Sequence, residues 1–241
     1  MRKIFIIGLP RTGTTSLCTT LLALGYSVAH TAFTQAAIEQ AEAVADTPAY
    51  CDYPFLDQRY PGSKFIYLER DLTLWLPSIQ QLLNRMIKNI NNDSGGFNPV
   101  LKRCFKQVFA PFELGHINNQ QHLSHCYQQH QQQLVNYFRD RPQDLLNLNI
   151  ADSAAPQQLL AFLGLAANPK LHFPQLNQGQ KITAWNKIEH PLKVPANLSG
   201  KNGRKYFDMR AVARSGKRQA TSDKRQATSD KRQKFCGLRL A

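Results

Sequence analysis

Short apolar runs alternate with longer stretches of helical spacing through most of the chain, a pattern that predicts a mostly parallel sheet flanked by helices. The predicted strands cover residues 3–8, 26–29, 64–69 and 144–150. The predicted helices cover residues 14–24, about 33–45, 73–91, 119–139 and 156–163. In the first helix Leu17, Leu21 and Leu24 fall at i, i+4 and i+7, and Gly25 supplies a stop. Asn91-Asn-Asp-Ser-Gly-Gly96 reads as a loop, whereas residues 97–118 show no period that types them.

The turn after the first strand adds chemistry to this α/β pattern. Gly8-Leu-Pro-Arg-Thr-Gly13 runs into Thr14, Thr15 and Ser16, which is GxxxxG followed by hydroxyl residues between a buried strand and a helix. That layout cradles phosphate: glycines let the backbone approach closely, and the first amides of the helix converge on an anion. Thr12, Thr14, Thr15 and Ser16 add hydroxyl donors, and Arg11 adds a planar cationic fork. Position 14 is threonine where a nucleotide-hydrolysing loop carries its phosphate-reaching lysine. The loop is therefore equipped to hold a phosphate and poorly equipped to transfer one. The predicted fold is a three-layer P-loop type domain.

A second group lies at the end of the strand Lys64-Phe-Ile-Tyr-Leu-Glu69, which runs into Arg70-Asp71, with Ser78 eight residues after Arg70. Read singly, Arg70 is an ordinary strand-end charge and Ser78 an ordinary helix serine. Read together with the loop, they form a pair suited to a dianionic phosphate.

Pro10-Arg-Thr-Gly-Thr-Thr-Ser-Leu17 resembles the 5′-phosphosulfate-binding loop of the sulfotransferases that use 3′-phosphoadenosine 5′-phosphosulfate (PAPS). Trp75 and Tyr60-Pro61-Gly62 fit the bacterial branch of that family. Further echoes are Tyr127, His130, residues 144–150, Leu159 to Gly164 and Phe173-Pro-Gln-Leu-Asn177, so the resemblance spans roughly residues 1–185. The chain departs from it at Ala154-Ala155-Pro156, where the family usually has a tryptophan before a late helix.

The resemblance implies transfer of a sulfuryl group from PAPS to a hydroxyl or amine of a small-molecule or glycan acceptor, without a metal. It assigns Arg11, Thr12, Gly13, Thr14, Thr15 and Ser16 to the phosphosulfate, and Arg70 and Ser78 to the 3′-phosphate. Arg11 becomes the group that stabilises the leaving phosphate. Cytosolic members use a histidine before a proline as base; here Asp46-Thr47-Pro48 holds that place, which makes Asp46 the candidate base. An aspartate before a turn proline is also a common brace. His30 is the second candidate and Asp52 the third. Residues 97–118 correspond to a substrate-facing insertion. A P-loop small-molecule kinase and a non-catalytic nucleotide-binding protein are the alternatives.

The 241 residues suffice for one such domain with appendages: 1–186 as the core and 187–241 as a basic extension. Of the net +14, residues 201–241 carry +10, from 13 Lys/Arg against 3 Asp/Glu. There Lys217-Arg-Gln-Ala-Thr-Ser-Asp223 repeats as residues 224–230 and restarts at Lys231. With one alanine as the only apolar residue per repeat, this predicts a disordered tail from about residue 214. Nucleic-acid binding is expected at most weakly, through that tail. Gly200-Lys-Asn-Gly203-Arg-Lys205 faintly resembles the basic loop that closes over the 3′-phosphate in cytosolic family members.

Cys18, Cys51, Cys104, Cys126 and Cys236 form neither a disulfide framework nor a CxxC pair. His122, His125, Cys126 and His130 read as an exposed polar helix face rather than a metal site. No 18-residue apolar run predicts a membrane span, and the start lacks the features of a secretory leader, which predicts a cytoplasmic protein.

Overall fold

The computed structural model describes residues 2–174, 185–199 and 206–207. Five parallel strands form one sheet: β1 (Ile4–Ile6), β2 (Val28–Ala29), β3 (Ala43–Ala45), β4 (Lys64–Glu69) and β5 (Leu145–Asn149), in the order β2-β3-β1-β4-β5. The helices are α1 (Thr14–Ala23), α2 (Gln35–Gln40), α3 (Ala49–Arg59), α4 (Leu72–Asn91), α5 (Pro99–Val108), α6 (Leu114–Ile117), α7 (Gln120–Tyr137) and α8 (Ala155–Leu163).

Alternate side chains of β1 point to opposite faces, as strand geometry requires. Ile4 and Ile6 pack with Leu17 and Leu21 of α1 and Leu159 of α8. Phe5 and Ile7 pack with Leu56 of α3 and with Leu134 and Phe138 at the end of α7. The sheet is thus buried on both faces, giving three layers. A third cluster joins Ile79 and Leu83 of α4, Phe105 of α5, Ile117 of α6 and Leu123 of α7.

The chain leaves β1 toward β2 and leaves β4 toward β5, in opposite directions from adjacent strands. Ligands of open α/β sheets bind outside the carboxyl ends of the strands at such a reversal. Both candidate phosphate motifs start there, one after β1 and one after β4.

One sequence expectation is corrected, and one untyped region is resolved. The predicted helix over 33–45 is α2 followed by β3: the alanine-rich run has high helix propensity, but Ala43, Val44 and Ala45 pair with β1 and β2 in the middle of the sheet. Residues 97–118 are largely helical, with α5 capped by the Asn98 side chain accepting from the Leu101 N–H at 3.0 Å and with Pro99 in its first turn.

Beside β2, the Val28 N–H donates to Leu192 and the Val194 N–H donates back to Val28, at 2.9 and 2.8 Å. Val194 and Phe207 lie in the same buried layer as Phe5 and Val44, and this compact unit runs to Phe207. The tail expected to be disordered, and the glycine-lysine segment at 200–205, lie outside the described residues. Among the described residues no helix is long and apolar enough to cross a membrane.

Candidate functional site

The loop between β1 and α1 is shaped by close contacts that exclude larger residues. A Cβ on Gly8 would sit 2.7 Å from Leu68 Cβ and 2.9 Å from the Leu68 nitrogen. Gly13 has φ +106°, and a Cβ there would fall 2.2 Å from Ile150 Cδ1. Arg11 also adopts the left-handed region, at φ 74°, a conformation that costs a non-glycine residue energy. At the start of α1 no side chain caps the first amides, and no acidic residue stands in the first turn. Those amides and the positive end of the helix dipole are open to an anion. The Thr12 hydroxyl is turned inward, donating to the Leu9 carbonyl at 2.8 Å, so Thr12 can offer a ligand only its backbone N–H.

Three side chains brace the site from the helices behind it. Trp75 Nε1–H donates to the Pro10 carbonyl at 2.9 Å. His130 Nε2 meets the Ile7 carbonyl at 2.8 Å; burial brings its pKa down to about 4, so the neutral ring donates through Nε2–H. Tyr127 Oη accepts the Arg70 N–H at 3.0 Å and donates to the Arg70 carbonyl at 3.1 Å. All three stood out in the sequence, but only contacts made across the fold reveal what they do.

These contacts correct the reading of α7 as an exposed polar face. Leu123, Cys126, Tyr127, His130 and Leu134 are buried, and His122 Nε2 lies 3.6 Å from Cys126 Sγ. The glutamines cover the other side of the helix, and their number hides the inward stripe.

The two phosphate motifs meet in one cluster. Arg11 Nε donates to Ser78 Oγ at 2.8 Å, and Arg70 Nη1 donates to the Arg11 carbonyl at 2.7 Å. Neither guanidinium has an ion-pair partner among the described residues. Burial lowers the pKa of both, and for Arg11 the neighbouring charges of Arg70 and Arg85 add to it. Two close, unpaired and partly buried cations favour an anion between them.

Asp46 and His30 end β3 and β2 at the same carboxyl edge. The pairing of Ile6 with Ala45 sets Asp46 beside the start of the loop. Asp46 adopts φ 53°, and its Oδ1 accepts from the Thr47 hydroxyl at 3.2 Å. Burial pushes its pKa up to about 6. His30 Nε2 lies 3.0 Å from Thr15 Oγ1 and 3.3 Å from Thr14 Oγ1, and its ring centroid is 5.2 Å from that of Trp185. Burial, helped by the Lys193 charge, brings His30 down to about 4, so the ring is neutral near pH 7.

Asp52 is a different case. Fully buried, it accepts from Arg103 Nη1 at 2.8 Å and Nη2 at 2.5 Å, so both oxygens belong to an ion pair joining α3 to α5. That role removes it as a base.

The family model described as a sulfotransferase domain matches residues 3–36 and 31–182. That span holds the loop, Asp46, Arg70, Ser78 and all three bracing residues. Comparison with curated proteins gives no match.

Proposed function

The chain belongs to the sulfotransferase-domain family, and from that premise we propose that it transfers a sulfuryl group from PAPS to a hydroxyl or amine of a small-molecule or glycan acceptor in the cytoplasm. The observation that carries this reading is the Arg11–Ser78–Arg70 cluster at the mouth of a lysine-free phosphate loop. A loop alone holds one phosphate. Two unpaired guanidiniums and a hydroxyl beside it provide for a donor phosphorylated at both ends.

In this reading the open amides of α1, with Thr14, Thr15 and Ser16, hold the 5′-phosphosulfate, while Arg70 and Ser78 hold the 3′-phosphate. The acceptor atom attacks sulfur in line with the bridging oxygen. The new bond to sulfur forms as the sulfur–oxygen bond to the phosphate breaks, and Arg11 neutralises the charge left on that phosphate. Asp46 takes the acceptor's proton. With a pKa near 6 it is ionised at pH 7 yet more basic than an ordinary aspartate. His30 is the weaker choice, because its pKa near 4 makes it a poor base and its Nε2 already faces two threonine hydroxyls.

The test is heat stability of the purified chain with PAPS, adenosine 3′,5′-bisphosphate, magnesium-ATP or GTP. Stabilisation by the first two and not by ATP or GTP is expected, since only a ligand of the folded state raises the transition. Preference for magnesium-ATP would reject the reading in favour of a kinase.

A further inference from the structure

Away from this site, Cys51, Asp52 and Cys104 place two sulfurs and a carboxylate oxygen within 4.8 Å of one another, where α3 meets α5. The cluster has the ligand types of a metal site, but both Asp52 oxygens are taken by Arg103, whose Nη1 also lies 3.7 Å from Cys51 Sγ. A cation would have to displace a guanidinium to reach its third ligand. Two thiols remain, one partly exposed and one buried.

We propose that Cys51 and Cys104 form a peroxide-sensitive dithiol–disulfide pair that ties α3 to α5. Cys51 is the partner that a small oxidant can reach: among the described cysteines it alone is not buried. Its closeness to Cys51 and its burial raise the pKa of Cys104, which keeps the inner sulfur a thiol. Closing the gap to the ~2.05 Å of a disulfide falls to Cys51, the less enclosed side chain.

The chemistry balances with a hydroperoxide as oxidant. The Cys51 thiolate attacks one peroxide oxygen; the O–O bond breaks, and the departing hydroxide takes up the proton Cys51 had released, leaving as water. Cys104 sulfur then attacks the resulting sulfenic acid. The S–S bond forms, the S–O bond breaks, and a second water leaves with the Cys104 proton. The sulfur pair loses two electrons and the peroxide gains them. The bridge fixes the first turns of α3, next to Tyr50, whose hydroxyl lies 3.4 Å from Thr47 Oγ1.

The test treats the reduced full-length chain with hydrogen peroxide, caps free thiols by alkylation, and maps peptides without reduction. The expected product is a Cys51–Cys104 crosslink two hydrogens lighter than the reduced pair, with Cys18 and Cys126 still alkylated. Cys51→Ser, at the partly exposed position, should abolish the crosslink while keeping the circular dichroism of the parent. Cys51 recovered as sulfinic acid with Cys104 alkylated would overturn the proposal. So would a bridge to any other cysteine, or a crosslink that survives Cys51→Ser.

Discussion

Arg11 Nε donates to Ser78 Oγ across 2.8 Å, joining the loop after β1 to the helix after β4. In the proposed reading, a 3′-phosphate would share Ser78 with Arg11 or displace it. Ser78→Ala removes both contacts. It should weaken binding of adenosine 3′,5′-bisphosphate roughly tenfold, the typical scale of one hydrogen bond to a charged group. Isothermal titration calorimetry checks this, with AMP as the nucleotide that should be little affected.

Arg11→Ala should lower turnover by about 10²–10³, the loss seen when one donor to a developing negative charge is removed. Arg11→Gly makes the useful companion. Glycine accepts the φ of 74° without strain, so this variant loses the charge while its backbone is relieved. Equal turnover losses in both, measured with saturating PAPS, would assign the effect to the charge.

Asp46 must be ionised to accept a proton, so turnover should fall as pH drops through about 6 and level off above it. Asn tolerates the left-handed backbone at this position, which makes Asp46→Asn the appropriate variant. It should abolish that limb of the pH profile and leave nucleotide binding intact. Stability has its own sign. The folded pKa is raised above the ordinary 3.8, so the folded chain binds the proton more tightly and loses stability as pH rises from 3.8 through about 6. Asp46→Asn should recover about 3 kcal/mol of stability at pH 7. Urea denaturation of both proteins at pH 4 and pH 7 separates the two effects.

Asp52→Ala should cost about 3–5 kcal/mol of stability, because it strands the Arg103 guanidinium against α3. Donor affinity, measured below the unfolding transition, should not change. A lost pH limb in this variant with stability intact would return Asp52 to the list of bases.

Gly13→Ala tests the loop itself. Its Cβ would fall 2.2 Å from Ile150 Cδ1 on a backbone of φ +106°, so both sterics and conformation oppose it. The left-handed conformation alone costs about 1–2 kcal/mol. A drop in the unfolding temperature together with lost nucleotide binding is the expected result.

The shape of the loop after β1 was legible in the sequence because its requirements are local: Gly8 and Gly13 at a fixed interval, hydroxyls at a helix start, and an apolar run before them. Arg70 and Ser78 stood out only beside that loop and through the family resemblance; that each meets Arg11 is a contact the fold supplies. The short β3 was not legible. Val44 is its one strand-favouring residue, too little to offset the alanines around it, and the segment becomes a strand by pairing with β1 and β2. α3 was missed because it kinks at Asp52 and contains Pro54, which blurs its period. The bracing contacts of Trp75, Tyr127 and His130 link positions 57 to 123 residues apart, a relationship no local pattern encodes. The fate of Asp52 was hidden likewise, since its partner Arg103 lies 51 residues away.

The most direct test of a donor held at both ends compares two nucleotides on two proteins. Calorimetric titrations of adenosine 3′,5′-bisphosphate and of AMP, on the parent chain and on Arg70→Ala, isolate the 3′-phosphate. The parent should prefer the bisphosphate by roughly ten- to a hundredfold, the scale of charge-assisted contacts to one phosphate, and Arg70→Ala should erase most of that preference while keeping its affinity for AMP. Equal affinity of the parent for the two nucleotides, or equal losses for both in Arg70→Ala, would contradict it.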